Sequence, residues 1–238
     1  MKKSFRFVLA LVIISVVSSA ALPVFAENVT YGEMTFDISD INSFDRPFMN
    51  DYSKPLDYTA TGFELASLMT PLFLIPVPAQ DYWKLGAEYA QTIAIAWGAK
   101  ELAKYCVTRY RPYMYFEGAP QDAIDDGDYK DSFFSGHATL SFVAAGFTTY
   151  QALTYFPDSP YKWISIGVSY ALCTTTAVLR LASGNHFMTD VICGAVVGSA
   201  LGFLIPWVNH FWFEPSLDLP LNTSLMVAPV GINFSMRF

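Results

Sequence analysis

An all-α helical bundle followed by a short C-terminal β-hairpin is the fold class this sequence predicts. Five apolar segments of helical length follow one another, at about 60–79, 86–106, 138–156, 163–179 and 191–208. The composition is 53% apolar and 16% aromatic with only 15% charged residues, which buries much of the chain in protein or in lipid. Beyond Trp212 the period changes: Ile232, Phe234, Met236 and Phe238 alternate with Asn233, Ser235 and Arg237, with Pro229 and Gly231 as turn signals before them. A chain of 238 residues suits one domain with a sizeable core.

The elements follow in order. Residues 1–26 have the layout of an export signal: Lys2, Lys3 and Arg6, an apolar run from Phe7 to about Leu22, and small residues before a cleavage point after Ala26. The alternative for this run is a retained first membrane helix. Cleavage would remove three cations and no acid, taking the formal charge from -7 to -10. Residues 27–59 show no sustained period and read as an irregular extracytoplasmic segment. Residues 60–213 form the helical domain, and 214–238 a tail carrying the hairpin.

Within that domain, 138–156, 163–179 and 191–208 carry no charged residue, which fits membrane spans or deeply buried core helices. Segment 86–106 holds Glu88, Lys100, Glu101 and Lys104, and 60–79 is interrupted by Pro71, Pro76 and Pro78, so both are poor free-standing spans. Gly194, Gly198 and Gly202 line one face of the last helix and let another backbone approach closely. Cys106, Cys173 and Cys193 have no metal-ligand spacing and read as small core residues. An acidic chain without a Lys/Arg stripe excludes nucleic acid as a partner.

The residues that carry chemistry lie in three groups beside apolar helices. Lys104 is followed after six residues by Arg111-Pro112, two cations on one face if the helix persists. Ser135-Gly136-His137 precedes an uncharged helix, where free N–H groups and the helix dipole favour an anion. Arg180 is followed by His186 and Asp190, the last two spaced to meet on one helical face. Each group alone has an ordinary explanation: snorkelling cations, a helix cap, a first-turn acid. Together they hold two of the chain's three histidines, each at a helix start beside cations; His210, next to Trp207 and Trp212, reads as interfacial or core.

These groups resemble the tripartite signature of the type 2 phosphatidic acid phosphatase and vanadium haloperoxidase superfamily. Lys104, Arg111 and Pro112 match the first part in full. Ser135, Gly136 and His137 match the second, with Phe134 in place of its proline; Arg180, His186 and Asp190 match the third, with Leu179 in place of its serine. The resemblance implies a helical bundle of that type and a phosphatase acting through a phosphohistidine. His186 is then the nucleophile, Asp190 the acceptor of its other ring proton, and His137 the acid that protonates the leaving oxygen. Lys104, Arg111, Arg180, the Ser135 hydroxyl and the Gly136 N–H hold the phosphate oxygens. No metal or other cofactor is implied, because the cations do a metal's electrostatic work.

The expected partner is a phosphorylated lipid or a small phosphate ester, and the expected place is extracytoplasmic (periplasmic), membrane-associated or integral, with the site on the outer side. Three other readings stand beside it: a vanadium-dependent haloperoxidase of the same superfamily, a non-catalytic membrane protein that recognises phosphate, and a soluble, broad-specificity acid phosphatase of the same superfamily. The acidic stretch Glu117–Asp131 lacks EF-hand spacing and reads as a solvated loop at the mouth of the site.

Overall fold

A computed structural model describes residues 29–213 and the strands at 223–228 and 231–236. The expected export signal lies outside the described residues, as do 214–222, 229–230 and 237–238. The helices are α1 (Lys54–Leu68), α2 (Tyr82–Cys106), the one-turn α3 (Gln121–Asp125), α4 (Gly136–Tyr155), α5 (Tyr161–Ala182) and α6 (Met188–Phe213). The predicted all-α bundle is what forms. The predicted C-terminal hairpin is present as β3 (Thr223–Ala228) paired antiparallel with β4 (Gly231–Met236).

Local chemistry sets most helix ends. Pro55 opens α1 at a position where a missing N–H costs nothing, and α1 stops before Pro71, which continues as a 3-10 turn, Thr70–Leu74. The single segment expected at 60–79 is therefore shorter and starts earlier, inside the stretch expected to be irregular. That stretch holds further order: β1 (Val29–Tyr31) pairs with β2 (Met34–Phe36) around Gly32, whose φ of 59° suits glycine. Phe36, Ile41 and Met49 then pack with Tyr113, Met114 and Phe187 in one buried cluster over the site end of the bundle.

Helix α4 is the central post, packed by α1, α2, α5 and α6. Its length is mostly buried small residues, among them Ala138, Ala144, Ala145, Gly146 and Ala152. The glycine face foreseen on α6 meets it: a side-chain carbon on Gly194 would lie 2.7 Å from the Ser135 carbonyl, and those on Gly198 and Gly202 would fall on the carbonyls of Thr139 and Val143. The two backbones thus touch over two turns. Of the three cysteines only Cys173 is buried; Cys106 is exposed, and all three are free.

Helix α5 is inverted relative to a helix in water. It buries Ser165, Ser169, Cys173 and Thr176 against the bundle, while Trp163 and Ile164 are 64% and 58% exposed. Helices α5 and α6 are both long and apolar enough to cross a membrane, over Tyr161–Ala182 and Met188–Phe211. Outward-facing Trp83, Trp97, Leu102, Val196, Leu204 and Phe211 extend this apolar surface round the bundle.

Candidate functional site

The site gathers at one end of the bundle, from the start of α1, the end of α2, the start of α4 and the α5–α6 loop. His186 lies in that loop, not on α6, and is 2% exposed. Gly184, at φ 71°, lets the loop press against the carbonyls of Asn50 and Asp51, and its own carbonyl accepts from Tyr113 N–H at 3.1 Å.

The ring of His186 is oriented by a residue outside the three motifs. Its Nδ1 is 2.8 Å from the Ser132 carbonyl, which can only accept, so Nδ1 carries the proton and Nε2 keeps the lone pair. Asp190 was expected to take this proton; its Oδ2 stands 3.9 Å away. The two side chains do approach, but the nearer Ser132 carbonyl takes the bond. The Asp190 carboxylate instead accepts from Ser132 Oγ (2.6 Å), Phe187 N–H (2.9 Å) and the Arg109 guanidinium. Asp190 and His186 thus bond to different atoms of Ser132.

Arg109 itself spans two acids, since its other nitrogen meets the fully buried Asp45 at 2.7 Å. Asp45 also accepts from the Thr189 N–H and hydroxyl, at 2.8 and 2.7 Å. The loop that aims His186 is therefore tied to the first helical turn of α6 and to the N-terminal segment by a buried ion network.

Arg111 stands on the Nε2 side. Helix α2 ends at Cys106, so Lys104 and Arg111 do not share a helix face; Arg111 is extended, with its N–H on the Tyr129 carbonyl at 2.8 Å. Its Nη1 lies 3.4 Å from His186 Nε2, and its Nη2 pairs with Asp128 at 2.7 Å. The acidic stretch is therefore not wholly solvated: it anchors a site arginine. Arg180, 3% exposed, pairs with Asp57, and its Nε has no partner. Ser135 caps α4, accepting weakly from Ala138 N–H at 3.4 Å, and Gly136 has no Cβ because the Lys100 stem lies 2.7 Å from where one would be.

His137 meets α1. Its Nε2 is 3.2 Å from Thr61 Oγ1 and 3.3 Å from Glu64 Oε2. Asp57, Thr61 and Glu64 line one face of α1 at helical spacing, so this helix supports both Arg180 and His137. These residues, with Lys100, Arg109, Asp45 and Ser132, lie outside the three motifs. The signal that was available is the pair of acids seven residues apart on an otherwise apolar segment.

Burial, and then the charges of Arg111 and Arg180, hold the His186 ring well below its ordinary pKa. His137 is pushed down for the same reasons, burial first and then Arg180 and Arg111. Glu64 is raised by burial. Both imidazoles are thus pushed toward the neutral form, in a field that favours an anion.

The family model of the PAP2 superfamily matches residues 85–214, more than half of the chain. The chain belongs to the PAP2 superfamily. The lipid A 1-phosphatase of Porphyromonas gingivalis is 26% identical over 179 residues, 70% of this chain and 36% of that protein. This PAP2 chain therefore spans about a third of the length of that curated relative. Among solved structures, a transmembrane PAP2-type phosphatidylglycerolphosphate phosphatase of Bacillus subtilis aligns with a TM-score of 0.48 at 19% identity, covering 72% of this chain and 85% of its own. LpxE of Aquifex aeolicus aligns at 0.46 and 18%, covering 68% and 92%.

Proposed function

We propose that this protein is a phosphatase that hydrolyses phosphate monoesters or phosphoanhydrides of lipids through a phosphohistidine. The observation that carries the reading is the Nε2 lone pair of a buried His186, its tautomer set by the Ser132 carbonyl at Nδ1 and the lone pair accepting from Arg111 Nη1 at 3.4 Å. A nucleophile with a fixed tautomer, set among cations, is what attack on a phosphate requires. Nε2 attacks phosphorus while Arg111, Arg180, Lys104 and the N-terminus of α4 neutralise the non-bridging oxygens. The P–O bond breaks and the leaving oxygen takes a proton from His137.

The lowered pKa of His137 fits this cycle. An arriving phosphate dianion cancels the cations that depress it, so proton uptake accompanies binding and arms the acid. In the second half, neutral His137 takes a proton from water, which attacks the phosphohistidine and releases phosphate. The arginines and lysines supply the charge stabilisation, and the reaction uses no metal.

A lipid substrate and a membrane setting are supported by the inverted α5, which hides hydroxyls and shows Trp163 and Ile164 outward. The similarity to a lipid A 1-phosphatase points the same way. With an export signal ahead of it, the site faces the extracytoplasmic side.

The test is phosphate release from a panel of lipid phosphates and aryl phosphate, with chelator present. Activity should survive chelation and be inhibited by vanadate, which imitates five-coordinate phosphorus. Complete loss on chelation would sink the mechanism.

A further inference from the structure

His137 is held from the α1 side by two oxygens that the chemistry above does not use. Its Nε2 lies 3.2 Å from Thr61 Oγ1 and 3.3 Å from Glu64 Oε2. The Thr61 hydroxyl gives its own hydrogen to the Asp57 carbonyl at 3.2 Å, so toward the ring it offers a lone pair. An ionised carboxylate also only accepts. Both neighbours therefore call for a hydrogen on Nε2, and the nitrogen left to exchange a proton with substrate is Nδ1.

Helical spacing places Glu64 for this contact. Asp57, Thr61 and Glu64 follow one another at four and three residues on α1, and so share a face. The cations round the ring have acids of their own: Arg180 pairs with Asp57, Arg111 with Asp128 at 2.7 Å and Lys100 with Glu101 at 2.7 Å. The Glu64 side chain is 13% exposed and that of His137 29%. Water screens the pair poorly, so a charge on one is felt by the other.

The ring has need of such a neighbour. Burial, then Arg180 on α5, Arg111, and Lys100 and Lys104 on α2, hold its pKa down, and His186 faces it from the α5–α6 loop. An acid for the leaving oxygen must nonetheless carry a proton when substrate is bound. Bound phosphate cancels part of the cationic field from one side, and Glu64 brings negative charge from the other. Burial raises the Glu64 carboxyl while Arg180 and Lys100 oppose that rise; an imidazolium beside it opposes the rise further and keeps the carboxylate ionised.

We propose that Glu64 is a positioning residue for the acid–base histidine: it accepts from His137 Nε2, fixes the tautomer that leaves Nδ1 to the leaving oxygen, and stabilises the imidazolium. The inference rests on the phosphatase reading. In the first half-reaction the Nδ1 proton passes to the leaving oxygen as its bond to phosphorus breaks, and Nε2 keeps its hydrogen. In the second, Nδ1 takes one proton from the attacking water, whose oxygen bonds to phosphorus as the bond from His186 Nε2 breaks. Glu64 itself neither gains nor loses a proton.

The experiment compares the full-length wild type in detergent with Glu64→Gln, which keeps the shape without the charge, and with Thr61→Val, which removes the neutral acceptor and no charge. Turnover is followed against pH on an alkyl and an aryl phosphate. For the alkyl phosphate, the fall of kcat on the alkaline side reports loss of the His137 proton in the bound complex. Removing a carboxylate lowers the pKa of that imidazolium, so in Glu64→Gln this limb should move down by about one pH unit, with kcat on it about tenfold lower. The aryl phosphate should lose less, and Thr61→Val should leave the limb in place. In parallel, the NMR signals of the His137 ring, assigned with His137→Ala, are titrated with inorganic phosphate present, and Glu64→Gln should lower their midpoint by about one unit. An unmoved limb, an unmoved midpoint, equal movement in both variants, or equal loss on alkyl and aryl substrates overturns the proposal and leaves Glu64 a structural residue of α1. If the wild type releases no phosphate from any substrate, aryl phosphate included, the phosphatase reading fails, and the titration alone judges the pairing of Glu64 with His137.

Discussion

Ser132 links two parts of the site: its carbonyl orients His186, and its hydroxyl, at 2.6 Å, ties down Asp190. Ser132→Ala keeps the carbonyl and removes only the second bond, so the ring is loosened without losing its tautomer. We expect kcat to fall roughly tenfold, the loss of one charge-assisted hydrogen bond, against abolition of turnover in His186→Ala. Equal abolition in both would mean that Asp190 position, not the carbonyl, controls the nucleophile. At His137 the measurement is leaving-group dependence. His137→Ala should spare aryl phosphates relative to alkyl phosphates, because good leaving groups need little protonation; equal losses would remove the acid role. Much of this centre was legible because phosphate chemistry demands fixed residue types at short spacing, and the three motifs supply them. Ser132, Arg109 and Asp45 were not, since each is a lone residue recruited from afar. Asp45 and Thr189 are 144 positions apart, and only folding makes them neighbours. The expected hydrogen bond from His186 to Asp190 is taken by the Ser132 carbonyl, with the two side chains still 3.9 Å apart.

At the scale of elements, the face of α6 that meets α4 is where the sequence was most explicit. Three glycines four residues apart require a close partner, and that partner is the backbone of α4 at Ser135, Thr139 and Val143. Gly198→Leu has no room: its first carbon already falls on the Thr139 carbonyl, so the helices must separate. The first turn of α4 carries Ser135, Gly136 and His137, and separation moves them against the loop bearing His186. We expect a loss of roughly 3 kcal/mol or more, in the range of severe core overpacking, with activity lost in the fraction that still folds. Thermal unfolding in detergent and aryl phosphate turnover measure the two effects. Gly62→Ala on α1, where an added carbon meets nothing within 4 Å, serves as the control and should be neutral or mildly stabilising. Helix α1 itself was misjudged in extent, because Pro71 was weighed as an interruption within a segment. It is where the helix gives way to a 3-10 turn, and the charges of Lys54 and Asp57 hid the true start.

The whole molecule has two unlike ends joined by an apolar waist. At one end stand Arg111, Arg180, Lys104 and both site histidines. At the other, a second polar cavity of about 320 Å³ is lined by Asp81, Lys84, Glu88, Tyr155 and His210. Between them α5 and α6 turn large apolar side chains outward, and the candidate spans run from the far end to the site end and back. Such a distribution is unfavourable in water, where Trp163, Ile164, Val196 and Phe211 would be the surface, and favourable across a bilayer of about 30 Å hydrocarbon thickness. A bundle crossing in this way must put its two ends on opposite sides. The loop after α2 belongs to the site end, and the short connection at 156–160, between α4 and α5, belongs to the other. The export signal proposed ahead of residue 27 would place the site end outside. Alkaline phosphatase fused after Phe116 should therefore be active, and the same reporter fused after Pro157 inactive, with a cytoplasm-only reporter giving the reverse. Activity at both junctions would indicate a fully exported bundle that packs its apolar waist against the membrane without crossing it. Activity only after Pro157 would invert the orientation and overturn the extracytoplasmic site.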